Sequence, residues 1–326
     1  MTTGLIDAER WSPLGGFPLV LHEMPPLDRL PASAAIQLLV DRAGIVPQVD
    51  PDCFDAMVTT APAAPAPWVS VDPARLDAQL ARISANVRAA PHAAAMLGRV
   101  LRLTQRLGFD DALEVESLAY SVLLGGAEFA RWLERRGPVK PGPEIAEPVL
   151  YERDEAFVTL TLAAPETRNA MTAAMRDALF SALVNVLEDP SAPTLLLTAA
   201  GRCFSSGGDL AEFGTAHDLA AAHAIRTLRN CARLLHRIGE RGQVHIGGAC
   251  IGSGIELAAA AHRRTASTDL MIQLPELAMG LIPGAGGTVT LPRVIGRHRT
   301  AWLVLGGFRI GARQALDWGL VHDVLA

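Results

Sequence analysis

Residues 247–258 read GGACIGSGIELA, and this stretch decides the fold. Small residues lead into a Gly-Ser-Gly turn, and an apolar helix follows with an acid, Glu256, near its start. The first turn of such a helix leaves N–H groups unpaired and carries the positive end of the helix dipole, so developing negative charge is held well there. Two other stretches share this character. Residues 201–213, GRCFSSGGDLAEF, end a strand and place two glycines before Asp209. Glycine lets a backbone N–H approach a ligand closely. Residues 274–288, LPELAMGLIPGAGGT, set Glu276 beside another glycine-rich turn. Two strand-to-helix turns that aim N–H groups at one point form an oxyanion hole, suited to a thioester carbonyl whose charge grows as an enolate forms. The sequence alone does not bring the two turns together.

Outward from these loops, residues 148–326 alternate strand and helix. AFVTLTL (156–162) and TLLLTA (194–199) read as strands, and 172–188 as a helix capped by Thr172. A helix is expected over about 218–238, then a strand at QVHIGG and a helix at SGIELAAAAH (253–262). This alternation indicates an α/β layered fold with mostly parallel pairing.

The three loops resemble the signature segments of the enoyl-CoA hydratase/isomerase (crotonase) superfamily. ETRNAM (166–171) is similar to that family's entry motif, GLIPGAGGT with LPRVIG (280–296) to its later loop, and GARQALDWGLVHDV (311–324) to a following helix and strand. The resemblance covers roughly 148–326 and implies a crotonase-like spiral of ββα repeats acting on an acyl-CoA thioester. By position it implies that the N–H groups of Gly208 and Ser253 form the oxyanion hole. Glu256 and Glu276 would be the acid/base pair, and Gly284 the glycine whose N–H faces the reacting water. Ser206, Gly207, Asp209 and Leu210 would line the CoA thioester. On its residue type alone, Asp209 is expected to cap a helix or order its loop. The chain departs from the family at Ser253, where a Gly-Gly-Gly triplet is usual, at Ala211 in place of a lysine, and at ERGQVHIGG in place of a Lys-Pro-Val-Ile-Ala-Ala strand. His245 in that strand is expected to be a satisfied core histidine, and Cys203 and Cys250 to be packing residues.

Both glutamates favour hydration of a 2-enoyl-CoA. Isomerisation, thioester hydrolysis, decarboxylation, cofactor-free oxygenation and an inactive scaffold that binds acyl-CoA or a partner are the alternatives. No metal or redox cofactor is implied beyond the CoA of the substrate. The resemblance also implies a homotrimer or a dimer of trimers.

Residues 72–140 form an all-helical segment. Asp72-Pro73 is a helix start, with a capping side chain and proline in the first turn. Leu76, Leu80, Ile83 and Val87 recur at helical spacing, and further helices follow Pro91, Gly108 and Gly126. The strong amphipathicity predicts packing against a partner surface. The family normally continues past the segment matching GLVHDVLA into closing helices, and 72–136 resemble those helices. The expected arrangement is therefore a circular permutation, with the closing helices in front of the core. The arginines of WLERR are read as a solvated face, with Arg135 or Arg136 near a CoA phosphate as a minority reading. Residues 1–70 contain the proline-rich TTAPAAPAPW (59–68) and AAIQLLV (34–40), a buried strand or helix, and yield no functional reading.

Composition sets the outer bounds. The chain has 326 residues, 50% hydrophobic and 19% charged, with a net charge of −5. A substantial core is possible, and there is no basic excess of the kind nucleic-acid binders show. The four cysteines, Cys53, Cys203, Cys231 and Cys250, form no metal-ligand spacing and are expected to be reduced thiols. No run approaches the ~18 apolar residues of a membrane span, and the first thirty residues lack a signal-peptide pattern. The expectation is a soluble cytoplasmic protein that binds neither nucleic acid nor membrane.

Overall fold

The computed structural model describes residues 9–23 and 34–325. The rear of the chain holds ten strands in two sheets. The larger sheet has the order β14-β11-β9-β7-β6-β5 and the smaller β13-β12-β10-β8. These strands are β5 (Val149–Asp154), β6 (Phe157–Leu162), β7 (Thr194–Ala199), β8 (Cys203–Ser205), β9 (Gly242–Ile246), β10 (Ala249–Ile251), β11 (Arg263–Ser267), β12 (Met271–Gln273), β13 (Arg309–Gly311) and β14 (Asp323–Leu325). The pairs β7/β8, β9/β10 and β11/β12 each place one strand in the large sheet and the next in the small one. The chain thus winds through three turns of a spiral, the crotonase-like α/β architecture. Only β5–β6 and β12–β13 pair antiparallel. Val158, Leu160, Leu162, Leu195, Leu197, Val244 and Ile246 are buried, as strands in a covered parallel sheet require.

Helices fill the layers between and around the sheets. Thr172 caps the helix Ala173–Glu188 by accepting from the Met175 N–H. The helix expected over 218–238 is two helices, Leu219–Leu228 and Cys231–Ile238, because the Asn230 side chain accepts from the Arg233 N–H and starts a new helix there. The helix at 253–262 is shorter than expected, Ser253–Ala258, and the chain turns at once into β11.

The front of the chain holds four helices: α1 (Pro73–Ala89), α2 (Pro91–Thr104), α3 (Phe109–Leu124) and α4 (Ala127–Arg136). Asp72 caps α1 through the Ala74 N–H, and Leu76, Leu80, Ile83 and Val87 are buried as their spacing required. These helices lie on the rear core. Asn86 of α1 donates to the Leu305 carbonyl at 2.9 Å, and Thr104 of α2 donates to the Thr288 carbonyl at 2.9 Å. Glu128 of α4 accepts from the N–H groups of His92 and Ala93 and so caps α2.

Residues 1–70 held a feature that the sequence did not reveal. AAIQLLV contributes a strand, β2 (Ile36–Asp41), in a parallel sheet of order β1-β2-β3-β4 with β1 (Leu19–His22), β3 (Ala56–Thr59) and β4 (Val69–Ser70). Every residue of that strand is buried. Arg297 donates to the Phe54 carbonyl at 2.6 Å and the Pro51 carbonyl at 2.8 Å, which ties this sheet to the helix Arg297–Gly306. Ile36, Leu38 and Val58 belong to the same continuous core as the front helices and the rear sheets. Residues 24–33 lie outside the described residues.

Candidate active site

The parallel pairing of β8 with β10 brings the first two loops together. A side-chain carbon added at Gly207 (φ +90°) would lie 3.1 Å from the Ile251 carbonyl oxygen and 3.9 Å from the Gly252 Cα. Asn169 of the ETRNAM motif secures this region. Its side chain donates to the carbonyls of Ala200 and Cys203 and accepts from the Ala164 N–H, and its own carbonyl receives the Ser205 hydroxyl. Asn169 sits at φ +50°, a conformation that asparagine tolerates better than most residues. Asp209 orders its loop by accepting from the Ala211 N–H at 3.0 Å, as expected.

Among the described residues, neither the Gly208 N–H nor the Ser253 N–H donates within the protein. Ser253 opens the helix Ser253–Ala258, where no preceding turn can pair its N–H. Its hydroxyl is buried and also has no partner.

The two acids lie on either side of these loops. Glu256, 2% exposed, accepts through Oε2 from the Ala285 N–H at 2.7 Å and the Gly287 N–H at 2.9 Å. A side chain at Gly287 would come within 2.6 Å of Glu256 Cγ, and one at Gly252 within 2.7 Å of Glu276 Oε1. Gly287 is required by Glu256 and Pro283 packed against it, and Gly252 by its φ of +48°. Burial raises the Glu256 carboxyl to about 7, while the N–H groups of Ala285, Gly287 and Gly284 pull it back. Burial, then the charge of Glu256, holds Glu276 well above the carboxylate range. Glu276 Oε2 is buried without a partner among the described residues. Of the two, Glu256 is the better stabilised as a carboxylate and Glu276 as a neutral acid.

The front helix α3 supplies two residues that sequence reasoning did not single out. Glu116, 1% exposed, accepts from the Gly286 N–H at 2.6 Å, the Thr288 N–H at 2.7 Å and the Thr288 hydroxyl at 2.7 Å. Burial and then the Glu256 charge raise its carboxyl to about 8, against the pull of those donors. Tyr120, one turn on, packs against Gly284, where a side-chain carbon would lie 2.3 Å from the Tyr120 ring. Only glycine fits at 284. The signal for Glu116 was present in the sequence: it lies on the helical stripe of Ala112, Leu113, Ala119 and Leu123, all buried.

The remaining expectations separate. Both His245 ring nitrogens are partnered, by Thr265 at 3.0 Å and Ser267 at 3.1 Å, so it is a satisfied histidine. Cys250 is buried and Cys203 half-buried. Arg131 and Arg135 are exposed, in line with a solvated face, whereas Arg136 is half-buried. It stacks on Trp132 at 5.0 Å and donates to the Leu210 carbonyl, so it is tied to the first loop.

Comparison with known proteins now bears on this geometry. Residues 152–326, more than half of the chain, match the family described as enoyl-CoA hydratase/isomerase, and the chain belongs to that family. It is 33% identical over 174 residues to the enoyl-CoA isomerase/hydratase fer4 of Mycosarcoma maydis, covering 51% of this chain and 64% of that protein. It is 34% identical over 184 residues to the fatty acid oxidation complex subunit alpha of Shewanella sp. (strain W3-18-1), covering 54% of this chain and 26% of that subunit. The chain thus spans about a quarter of the Shewanella subunit. Among solved structures, the enoyl-CoA hydratase of Thermoplasma volcanium GSS1 aligns at 30% identity with a TM-score of 0.51, over 55% of this chain and 72% of that one. The Bacillus anthracis enoyl-CoA hydratase aligns at 30% identity with a TM-score of 0.50, over 55% and 70%. No helix among the described residues is long and apolar enough to cross a membrane.

Proposed function

We propose that the site hydrates a 2-enoyl-CoA thioester. The observation that carries this reading is the asymmetry of the two buried acids. Glu256 is held by backbone donors, whereas burial and the Glu256 charge hold Glu276 well above the carboxylate range, with Oε2 unpartnered among the described residues. Acid/base addition needs one ionised and one protonated group. In this reading the thioester oxygen accepts from the Gly208 and Ser253 N–H groups. Glu256 takes a proton from water as the water oxygen bonds to the β-carbon. The C=C electrons pass into the thioester as an enolate, and Glu276 gives its proton to the α-carbon. The product is a 3-hydroxyacyl-CoA, and one proton passing from Glu256 to Glu276 resets the pair. Ser206, Gly207 and Leu210 would line the thioester. No metal or redox group takes part in this scheme.

Mass spectrometry of the products tests it. A hydratase adds the mass of one water to a 2-enoyl-CoA, and an isomerase moves the double bond with no change of mass. Failure to add water at any acyl chain length would overturn the hydratase reading.

We further infer that α1–α4 are the closing helices of the family, carried in front of the core by circular permutation. Their hydrogen bonds to Gly286, Thr288 and Leu305 support this. So does the share of each solved hydratase left unmatched by the rear core. A homotrimer or dimer of trimers in a reducing, cytoplasmic compartment belongs to the same proposal. Leu118 and Val122 of α3, with Ile225 and Leu228 beside them, offer exposed apolar surface for such an interface.

A further inference from the structure

A cavity of about 400 Å³ opens beside Ser253 and Gly284, and three arginines, Arg176, Arg226 and Arg229, are among its lining residues. Two of them share one counter-ion. Arg176 pairs with Asp177 at 2.7 Å, and Arg229 pairs with the same carboxylate. Arg226 differs. Among the described residues no carboxylate lies within ion-pair distance of it. Its Nη1 donates to the Ser117 hydroxyl at 2.8 Å and the Ser121 hydroxyl at 3.1 Å, and its guanidinium lies 4.7 Å from the centre of the Tyr120 ring. Its Nε and Nη2 donate to no described protein group. Tyr120 is the ring packed against Gly284, so Arg226 stands one side chain away from the catalytic loop. Among the described residues, the one acid on the cavity wall, Glu212, accepts from the Ala173 N–H through both oxygens and pairs with no cation.

Arg226 is half-buried among neutral hydroxyls and a ring face, and the acid that acts on it, Glu116, is itself shifted towards its neutral form, so the guanidinium keeps most of its need for a counter-ion. An uncharged acyl chain filling this cavity would strip water from Arg226 and return nothing for it. A carboxylate would match its two free N–H directions as a charge-assisted pair.

We infer that the acyl group taken by this site carries a terminal carboxylate, which Arg226 receives. This rests on the acyl-CoA reading above and adds the substrate class to it.

Calorimetric titration of the full chain with two saturated acyl-CoAs of equal chain length, glutaryl-CoA and valeryl-CoA, tests the inference without requiring turnover. The carboxylated ligand should bind about tenfold tighter or more. In Arg226→Gln the ratio should collapse towards one, and Arg226→Lys should recover part of it, with thermal melts showing that both variants fold. Equal affinities in the unaltered protein, a ratio that needs no folded variant to interpret, would overturn the inference and leave the acyl-CoA reading standing. Arg226→Gln weakening both ligands alike would mean that Arg226 meets an anionic part of CoA, and would also overturn it. If neither ligand binds, the acyl-CoA reading and this inference both fall.

Discussion

The rear core and the helices in front of it meet at one site but contribute to it differently. The core supplies the groups proposed to meet a substrate: the N–H groups of Gly208 and Ser253, unpaired among the described residues, and the acids Glu256 and Glu276. The front helix α3 supplies Glu116 and Tyr120, which hold and cover the loop of residues 284–288. That loop in turn gives Glu256 its two backbone donors. The difference teaches that the front helices are a second layer of the site. Glu116 fixes the backbone that fixes Glu256.

The largest effect is expected in the core. Glu256→Gln or Glu276→Gln should each lower kcat for hydration about 10²–10⁴-fold, the usual weight of a positioned acid or base. Glutamine keeps the shape and one acceptor oxygen, so circular dichroism should show the fold intact. Loss of enoyl-thioester absorbance gives the rate, and a variant within threefold (roughly, far below the range for such a group) would remove that acid from the chemistry.

The next effect belongs to the front. Glu116→Gln offers an amide where the Gly286 N–H or the Thr288 donors need an acceptor. It should destabilise the fold by about 1–3 kcal/mol in denaturant titration, the cost of a buried polar group left unpaired. Because Glu116 acts through the loop, kcat should fall about tenfold with KM little changed. A loss confined to KM would mean that Glu116 serves substrate binding instead.

A smaller effect follows from pH. Unfolded, these carboxyls ionise near their ordinary value of 4.5, whereas folded Glu256 holds its proton to about 7 and Glu116 to about 8. Over that window the folded protein binds more protons than the unfolded chain, so stability should fall as pH rises. His298, held down to about 4 by burial, acts in the opposite sense only below its ordinary 6.5. Urea midpoints should therefore decline from about pH 6.5 to about pH 8.5, and Glu116→Gln should flatten the decline. A midpoint that rises over this range would contradict the assignment.

The smallest effect is expected at the atypical serine. The Ser253 hydroxyl is buried without a partner, and the proposed donor is its backbone N–H. Ser253→Ala should change kcat by less than about threefold and leave stability within about 1 kcal/mol, since no hydrogen bond is lost. A large loss in the same absorbance assay would show that the hydroxyl itself contacts substrate.

Much of the rear was legible in the sequence because its loops are written in residues that only one backbone allows. Gly284 is forced by Tyr120, Gly287 by Glu256 and Pro283, and Gly252 by its positive φ. Helix α1 was legible from Asp72-Pro73 and its buried stripe. Other features depend on contacts distant in sequence. The break at Asn230 rests on one side-chain cap inside a continuous helical pattern. The parallel sheet of the first seventy residues has strands of two to six residues, too short for periodicity to reveal. Glu116 reads as one more charge on an amphipathic helix until Gly286 and Thr288, some 170 residues away, are folded against it. Arg226 likewise looks solvated until α3 covers it.

The front helices are proposed to act on catalysis through the core's own acid, Glu256. A double-mutant cycle on Glu116 and Glu256, read as kcat/KM for a 2-enoyl-CoA, tests it most directly. If Glu116 works by fixing the loop that holds Glu256, the double variant Glu116→Gln/Glu256→Gln should be no slower than Glu256→Gln alone. Losses that multiply in full would contradict the account and leave the helices as scaffold only.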